Sequence, residues 1–261
     1  MQLRILSLLT LAMILAAACS PAATPPTAQS PSASSESTPT PETLQDGAAG
    51  AVASSDSGLG GIAQQPVATC ADVTDPNITM PENSNQQQFS APEQVIENSH
   101  TYCAIVTTEH GRFIIQLNPV NAPQNVNNFV FLASKGFYDG IGFHRVIPGF
   151  MAQTGDPTGT GGGGPGYNNI PLEATGPMKY DKPGVVGVAR TNQPNSAGSQ
   201  FFITFDNASF LDNGYTILGE VVEGMDVVNQ IKVRDTDSDP NANSIVPERL
   251  ISIRIVDIGA K

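Results

Sequence analysis

The chain is 261 residues long, 39% hydrophobic and only 14% charged, with 24 acidic against 12 basic side chains and a formal net charge of −12. Such acidity excludes nucleic-acid binding, which needs clustered Lys and Arg to neutralise phosphates. Length alone allows one domain or two, but no Phe, Tyr or Trp precedes Phe89, and after Arg4 the next basic residue is Arg112. A first third without aromatics buries too little apolar surface to fold alone.

Met1 to Arg4 carries one positive charge, and Ile5 to Ala18 (ILSLLTLAMILAAA) is apolar or small apart from Ser7 and Thr10. A spanning helix needs about 20 apolar residues, so this run suits the core of a signal peptide over residues 1–18. Ala16-Ala17-Ala18-Cys19 resembles the lipobox of bacterial lipoproteins, which implies that Cys19 is lipidated and anchors the mature chain to a membrane. It departs from that pattern in having Ala16 where Leu is usual, with Leu15 one place earlier. An ordinary secretory signal that contains Cys19 is the alternative; both export the protein.

Residues 19–65 are rich in Ser, Thr, Ala, Pro and Gly, the composition of a solvated linker. Residues 20–99 hold nine acids and no Lys or Arg, so most of the net charge belongs to the linker and the segment that follows it. Residues 66–99 contain Cys70, Phe89 and a few aliphatics without a sustained period, and read as a partly ordered flank of the domain that follows. With Cys19 acylated, Cys70 and Cys103 remain as an even pair in an oxidising compartment, either joined in a disulfide or left as two thiols.

The folded unit is expected over residues 100–261. Thr101–Thr108 and Arg112–Leu117 are β-branched and aromatic runs joined by Glu109-His110-Gly111, the pattern of a hairpin. Ala122–Lys135 follows as a helix, with Asn121 as its N-cap, Pro123 in the first turn and Val126, Phe129, Val130 and Ala133 on one face; Gly136 stops it. Short apolar runs at Gly142–Ile147, Phe150–Thr154, Val185–Ala189, Gln200–Phe205 and Ile217–Val222 read as strands. A second helix over Met225–Val233 and a last strand over Leu250–Ile258 complete the series. Many short strands between Gly-rich turns predict a mainly β fold, a barrel or sandwich, with two helices able to plug barrel ends.

Several chemistries are excluded. No G-x-S-x-G elbow is present, and Ser199, in Ala-Gly-Ser-Gln, lacks the flanking pattern. Three histidines without His-Glu-x-x-His, and no Cys-x-x-Cys, argue against a metal site. The glycine-rich run Gly155–Gly166 lacks the Gly-Lys-Ser/Thr of a phosphate loop and reads as a surface loop. What remains is one cation set among apolar groups and an amide, in Phe143-His144-Arg145-Val146-Ile147-Pro148-Gly149-Phe150-Met151-Ala152-Gln153.

That stretch, as FHRVIPGFMAQTGDPTGTG, followed by GVVGVARTNQPNSAGSQFFIT and FLDNGYTILGEVVEGMDVV, resembles the cyclophilin-type peptidyl-prolyl isomerases from about Thr101 to Ile258. The resemblance implies a closed eight-stranded antiparallel β-barrel capped by two α-helices, no cofactor, a monomer, and proline-containing peptides or unfolded exported proteins as partners. It implies catalysis by Arg145, Gln153 and Phe150, with Met151, Ala189, Arg190, Gln200, Phe202, Phe210, Leu211 and Tyr215 binding the substrate. In its mechanism Arg145 donates a hydrogen bond to the prolyl nitrogen of the twisted peptide bond. Two departures stand out: Tyr215 occupies the place of the family's common histidine, and Phe210 that of its tryptophan, which implies weakened cyclosporin binding. Arg190 and Thr191 replace smaller groups beside the groove, so acidic or polar residues flanking the proline are expected to be preferred. The resulting expectation is an extracytoplasmic, membrane-tethered isomerase; the rival is a peptide-binding or chaperone module on the same barrel.

Overall fold

The structure, a computed structural model, describes residues 69–73 and 88–260. The expected signal peptide, Cys19, the 19–65 linker and part of the 66–99 flank lie outside the described residues. Eight strands form one antiparallel sheet: β1 (His100–Thr108), β2 (Gly111–Leu117), β3 (Arg145–Ile147), β4 (Met151–Thr154), β5 (Val185–Val188), β6 (Phe201–Thr204), β7 (Ile217–Glu223) and β8 (Leu250–Ala260). Two helices accompany them, α1 (Pro123–Ser134) and α2 (Met225–Val228).

The strands run in the order β3-β4-β6-β5-β7-β2-β1-β8, so the sheet has two edges and is not the closed barrel that was expected. β3 is only three residues long before Pro148, too short to build a ladder against β8. The space between the edges is bridged piecemeal. Val146 exchanges backbone hydrogen bonds with Arg234, and Gly140, Ile141 and Phe143 bond to Leu250 and Glu248.

The alternation of β1 explains its unbroken apolar run. Tyr102, Ala104 and Val106 join Phe113, Ile115 and Leu117 of β2 and the predicted α1 stripe in the main core. Cys103 and Ile105 face the other way and pack with Ile114 beneath Cys70 and Val73. Cys70 and Cys103 form a disulfide, with Cα atoms 5.4 Å apart. The flank therefore covers the outer face of β1, and that strand is buried on both sides.

Both helix ends differ from expectation. Asn121 does not cap α1; its side chain donates to Asn118 Oδ1. The distant Glu173 carboxylate instead accepts from the backbone N–H groups of Gln124 and Asn125 and from the Asn125 side chain, at 3.2, 3.0 and 2.6 Å. An anion there satisfies orphan donors and complements the helix dipole. α2 is a single turn rather than the expected Met225–Val233: past Asn229 the N–H groups of Gln230 and Ile231 bond to carbonyls three residues back, and the Lys232 N–H donates to Glu248 Oε2 at 2.9 Å. The flank also reaches α1. Asn127 accepts from the Val95 N–H and donates to the Glu93 carbonyl, while Phe89 sits edge-on to Phe131 at 5.2 Å.

Glu173→Ala removes the acceptor of both amides and should destabilise the domain by about 1 to 2 kcal/mol, with α1 losing most amide protection. Chemical denaturation with hydrogen exchange measures this, and an unchanged midpoint would show that solvent replaces the carboxylate at no cost.

Candidate functional site

The β3–β4 hairpin turns through Pro148-Gly149, where Gly149 adopts φ 69°, and sets Arg145 opposite Gln153, Val146 opposite Ala152 and Ile147 opposite Met151. By the period of two, Val146 and Ala152 enter the main core, while Arg145, Ile147, Met151 and Gln153 share the other face. β4 pairs with β6 so that Gln153 faces Phe202, and β6 pairs with β5 so that Phe202 faces Gly187. Arg145, Gln153 and Phe202 thus form one row across three strands. Glycine at 187 is needed, because a Cβ there would lie 2.3 Å from the Phe202 ring and 2.4 Å from the Tyr180 hydroxyl.

The apolar residues expected to hold a proline gather in one cluster separate from the main core. Met151, Phe202 and Leu211 are buried in it, and Phe150, Ala189 and Tyr215 pack against it. Tyr215 meets Phe202 edge-on at 5.9 Å. Phe210 is 75% exposed and lies 5.4 Å from the Phe150 ring, a rim position rather than a wall.

A chain of hydrogen bonds ties the polar members together. Arg145 donates from Nη1 to Gln153 Oε1 at 3.2 Å, Gln153 Nε2 donates to Gln200 Oε1 at 2.9 Å, and Gln200 Nε2 donates to the carbonyls of Gly161 and Gly163, each at 2.9 Å. The glycine loop is in turn organised by Asp156, which is 1% exposed and accepts from Thr158, Thr160 and Gly161. Burial alone would raise the Asp156 carboxyl, but these donors outweigh it and hold it below the usual range. Next to Arg145, His144 is kept below the ordinary histidine range, mainly by burial and with help from the Arg234 and Arg145 charges against the opposing pull of Asp156.

Two residues expected to meet substrate are partly committed to the fold. The Ala189 N–H donates to the Gln200 carbonyl. Arg190 donates from Nε to the Gly214 carbonyl at 2.7 Å and from Nη1 to the Thr191 carbonyl, with its guanidinium carbon 4.8 Å from the centre of the Tyr215 ring. It braces Tyr215 as well as bordering the groove.

Beside this row lies a cavity of about 500 Å³ lined by Gln153, Gln200, Arg190, Thr191, Ser196 and the glycine loop, with Gln88 of the flank on its wall. Gln88 was not anticipated; it donates to the Gly164 carbonyl, and the Phe89 N–H donates to Pro165. Asp237 was also missed. Its carboxylate accepts from Arg145 Nε at 2.8 Å and Nη2 at 2.5 Å, and the first of these effects to matter for its own ionisation, the hydrogen bond from Arg145, holds it below the usual carboxylate range. Nothing in the acidic run around it marks it out. Among the described residues, no group of three His, Cys, Asp or Glu side chains could hold a metal, and no helix is long and apolar enough to cross a membrane.

Residues 102–255 match the family described as cyclophilin type peptidyl-prolyl cis-trans isomerase/CLD. Among curated relatives, Peptidyl-prolyl isomerase CWC27 of Cryptococcus neoformans is 38% identical over 155 residues, 59% of this chain and 31% of that protein. The chain thus spans about a third of that relative's length. A probable peptidyl-prolyl cis-trans isomerase of Brucella suis is 43% identical over 139 residues, 49% of this chain and 70% of the relative. A crystal structure of a cyclophilin type peptidyl-prolyl cis-trans isomerase from Cryptosporidium parvum superposes with a TM-score of 0.54 at 31% identity, covering 60% of this chain and 98% of that one. A second structure of the same protein, in the presence of the dipeptide Ala-Pro, gives a TM-score of 0.53 at 30% identity, covering 59% and 98%.

Asp156→Ala should release the glycine loop and slacken the chain to Arg145. Amide exchange at Thr160 and Gly161 is expected to accelerate about tenfold or more as their acceptor is lost. Protection equal to that of the wild type would show that the loop is held by other contacts.

Proposed function

Because this chain belongs to the cyclophilin-type peptidyl-prolyl cis-trans isomerase family, we propose that it accelerates rotation about Xaa-Pro bonds. The observation that carries the proposal is the row Arg145–Gln153–Phe202, which puts a guanidinium beside an apolar cluster able to take a proline ring. A prolyl amide has partial double-bond character, and turning it costs about 18 to 20 kcal/mol. In the twisted transition state the resonance is lost and the nitrogen gains a lone pair. A donor placed beside that nitrogen binds the transition state better than the planar ground state, which is the condition for catalysis.

In this mechanism Arg145 is the donor, Phe150, Met151, Phe202, Leu211 and Tyr215 seat the proline ring, and Gln153 holds the carbonyl region. The extended chain on either side runs along Ala189, Arg190 and Gln200, a recognition mode that tolerates many sequences. No cofactor enters. Tyr215 supplies an aromatic wall and a hydroxyl, and Phe210 supplies no indole N–H, so cyclosporin binding is weakened.

The substrates proposed are exported proteins during folding. The 1–18 signal, the lipobox-like Cys19 and the 19–65 linker support a lipoprotein tethered outside the cytoplasm, and the Cys70–Cys103 disulfide suits an oxidising compartment. Mass spectrometry of the mature amino terminus tests the anchor: a diacylated or triacylated Cys19 is expected, and an unmodified terminus elsewhere would refute it.

In a protease-coupled assay on a proline tetrapeptide, Arg145→Ala should lower kcat/KM about a hundredfold or more, the size expected for one transition-state donor. A wild type without activity, or a variant that equals it, would favour the peptide-binding module. In a peptide panel, Glu beside the proline should be preferred over Lys, and Arg190→Ala should flatten the difference; no preference in the wild type would show that Arg190 is wholly taken up by Tyr215 and its two carbonyls.

A further inference from the structure

Resting on the isomerase reading, we infer that Asp237 is a positioning residue that fixes the Arg145 guanidinium in the orientation catalysis needs. Guanidinium carries five N–H donors in a planar fork. Asp237 takes the Nε and Nη2 edge with both oxygens, at 2.8 and 2.5 Å, and Gln153 takes one hydrogen of Nη1 at 3.2 Å. Nη1 also lies 3.9 Å from the Met151 thioether, a weak acceptor. The donors left for a substrate are those at the Nη1 and Nη2 ends, away from Asp237. Side-on clamping by a carboxylate fixes the plane of the group as well as its place, which a single bond to Gln153 cannot do.

The carboxylate is itself held in place. It stands three residues after Arg234, whose backbone exchanges hydrogen bonds with Val146, the neighbour of Arg145 on β3. The Arg234 side chain is 7% exposed and donates to the carbonyls of His144 and Ile245 and to Asn243 Oδ1. Beyond it, Asp235 Oδ1 accepts from the N–H groups of Asp237 and Ser238, each at 3.1 Å. The loop is thus stapled to the strand that carries Arg145, and the separation of the two side chains is set by backbone bonds.

Magnitude separates this role from a structural one. Asp237 is 49% exposed and Arg145 29% exposed in their side chains. An ion pair that open to solvent adds little to stability. The arginine side chain, however, has many rotamers to lose, and restraining it before the substrate arrives removes that cost from the activation step.

The test uses the full chain and the variants Asp237→Ala and Asp237→Glu. Asp237→Ala should lower kcat about tenfold, equal to about 1.4 kcal/mol, while KM stays within about twofold and the thermal midpoint within about 2 °C. Asp237→Glu should recover most of the rate. The Arg145 Nε–H resonance, assigned by its disappearance in Arg145→Lys, should exchange slowly with water in the wild type and rapidly in Asp237→Ala. Full activity in Asp237→Ala, or a rise in rate, overturns the inference, the second outcome meaning that the carboxylate competes with substrate. A loss through KM alone, or one that Glu does not relieve, also overturns it. A wild type no faster than Arg145→Ala would instead remove the isomerase reading itself.

Discussion

A single guanidinium, held in place yet still reachable, is the constraint around which the rest of this domain is arranged. Arg145 sits on a three-residue strand beside a turn, a location that by itself would leave its side chain free to wander. Its direction comes from a register three strands wide and from hydrogen bonds that begin at Asp237, pass through Arg145, Gln153 and Gln200, and end on the backbone of the glycine loop. Each member satisfies its neighbour, and Asp156 anchors the far end in a nearly dry site. Networks of this kind rigidify when complete and are costly when one member is lost.

The sheet divides its labour by the pleat. Inward residues of β3, β4 and β6, namely Val146, Ala152, Phe201 and Ile203, feed the main core with α1. Their immediate neighbours Met151, Phe202 and Gln153 face out to build the groove. A one-residue slip would exchange the two sets, so the packing that stabilises the domain also sets the site. The flank before the family-matched region contributes at both ends. Cys70 covers the outside of β1 through its bond to Cys103, and Gln88 reaches the wall of the cavity beside Gln200. The described parts of the flank are therefore joined to the domain at the back of the sheet and beside the groove.

Much of this was legible in the chain because the relevant signals are local. The short apolar runs Gly142–Ile147 and Phe150–Thr154 and the helical stripe from Val126 to Ala133 carry their structural meaning within a few positions. Arg145, Phe150, Met151, Gln153 and Phe202 were identified together because the two motifs that hold them resemble one family. The contacts that escaped notice join residues far apart in sequence: Asp237 with Arg145, Glu173 with the start of α1, and Gln88 with the glycine loop. Nothing in an acidic turn such as Asp235 to Asp239 says which carboxylate will face a strand ninety-two residues earlier. Closure of the barrel was inherited from the resemblance, and the short β3 with its piecemeal bridges to Arg234 and Leu250 departs from it. Arg190 illustrates a subtler limit, since its position beside the groove was foreseen and its hold on Tyr215 was not.

The most direct test of the central claim is exchange NMR on an Ala-Pro peptide, which reads the rate of cis-trans interconversion and the fraction of peptide bound in one sample. Arg145→Lys keeps the charge but loses the planar fork. The account predicts that wild type at substoichiometric concentration produces cross-peaks between the cis and trans resonances, and that Arg145→Lys binds the peptide with comparable shift changes while the cross-peaks vanish. Equal cross-peaks from both proteins would contradict it, because the guanidinium would then be a spectator at the site.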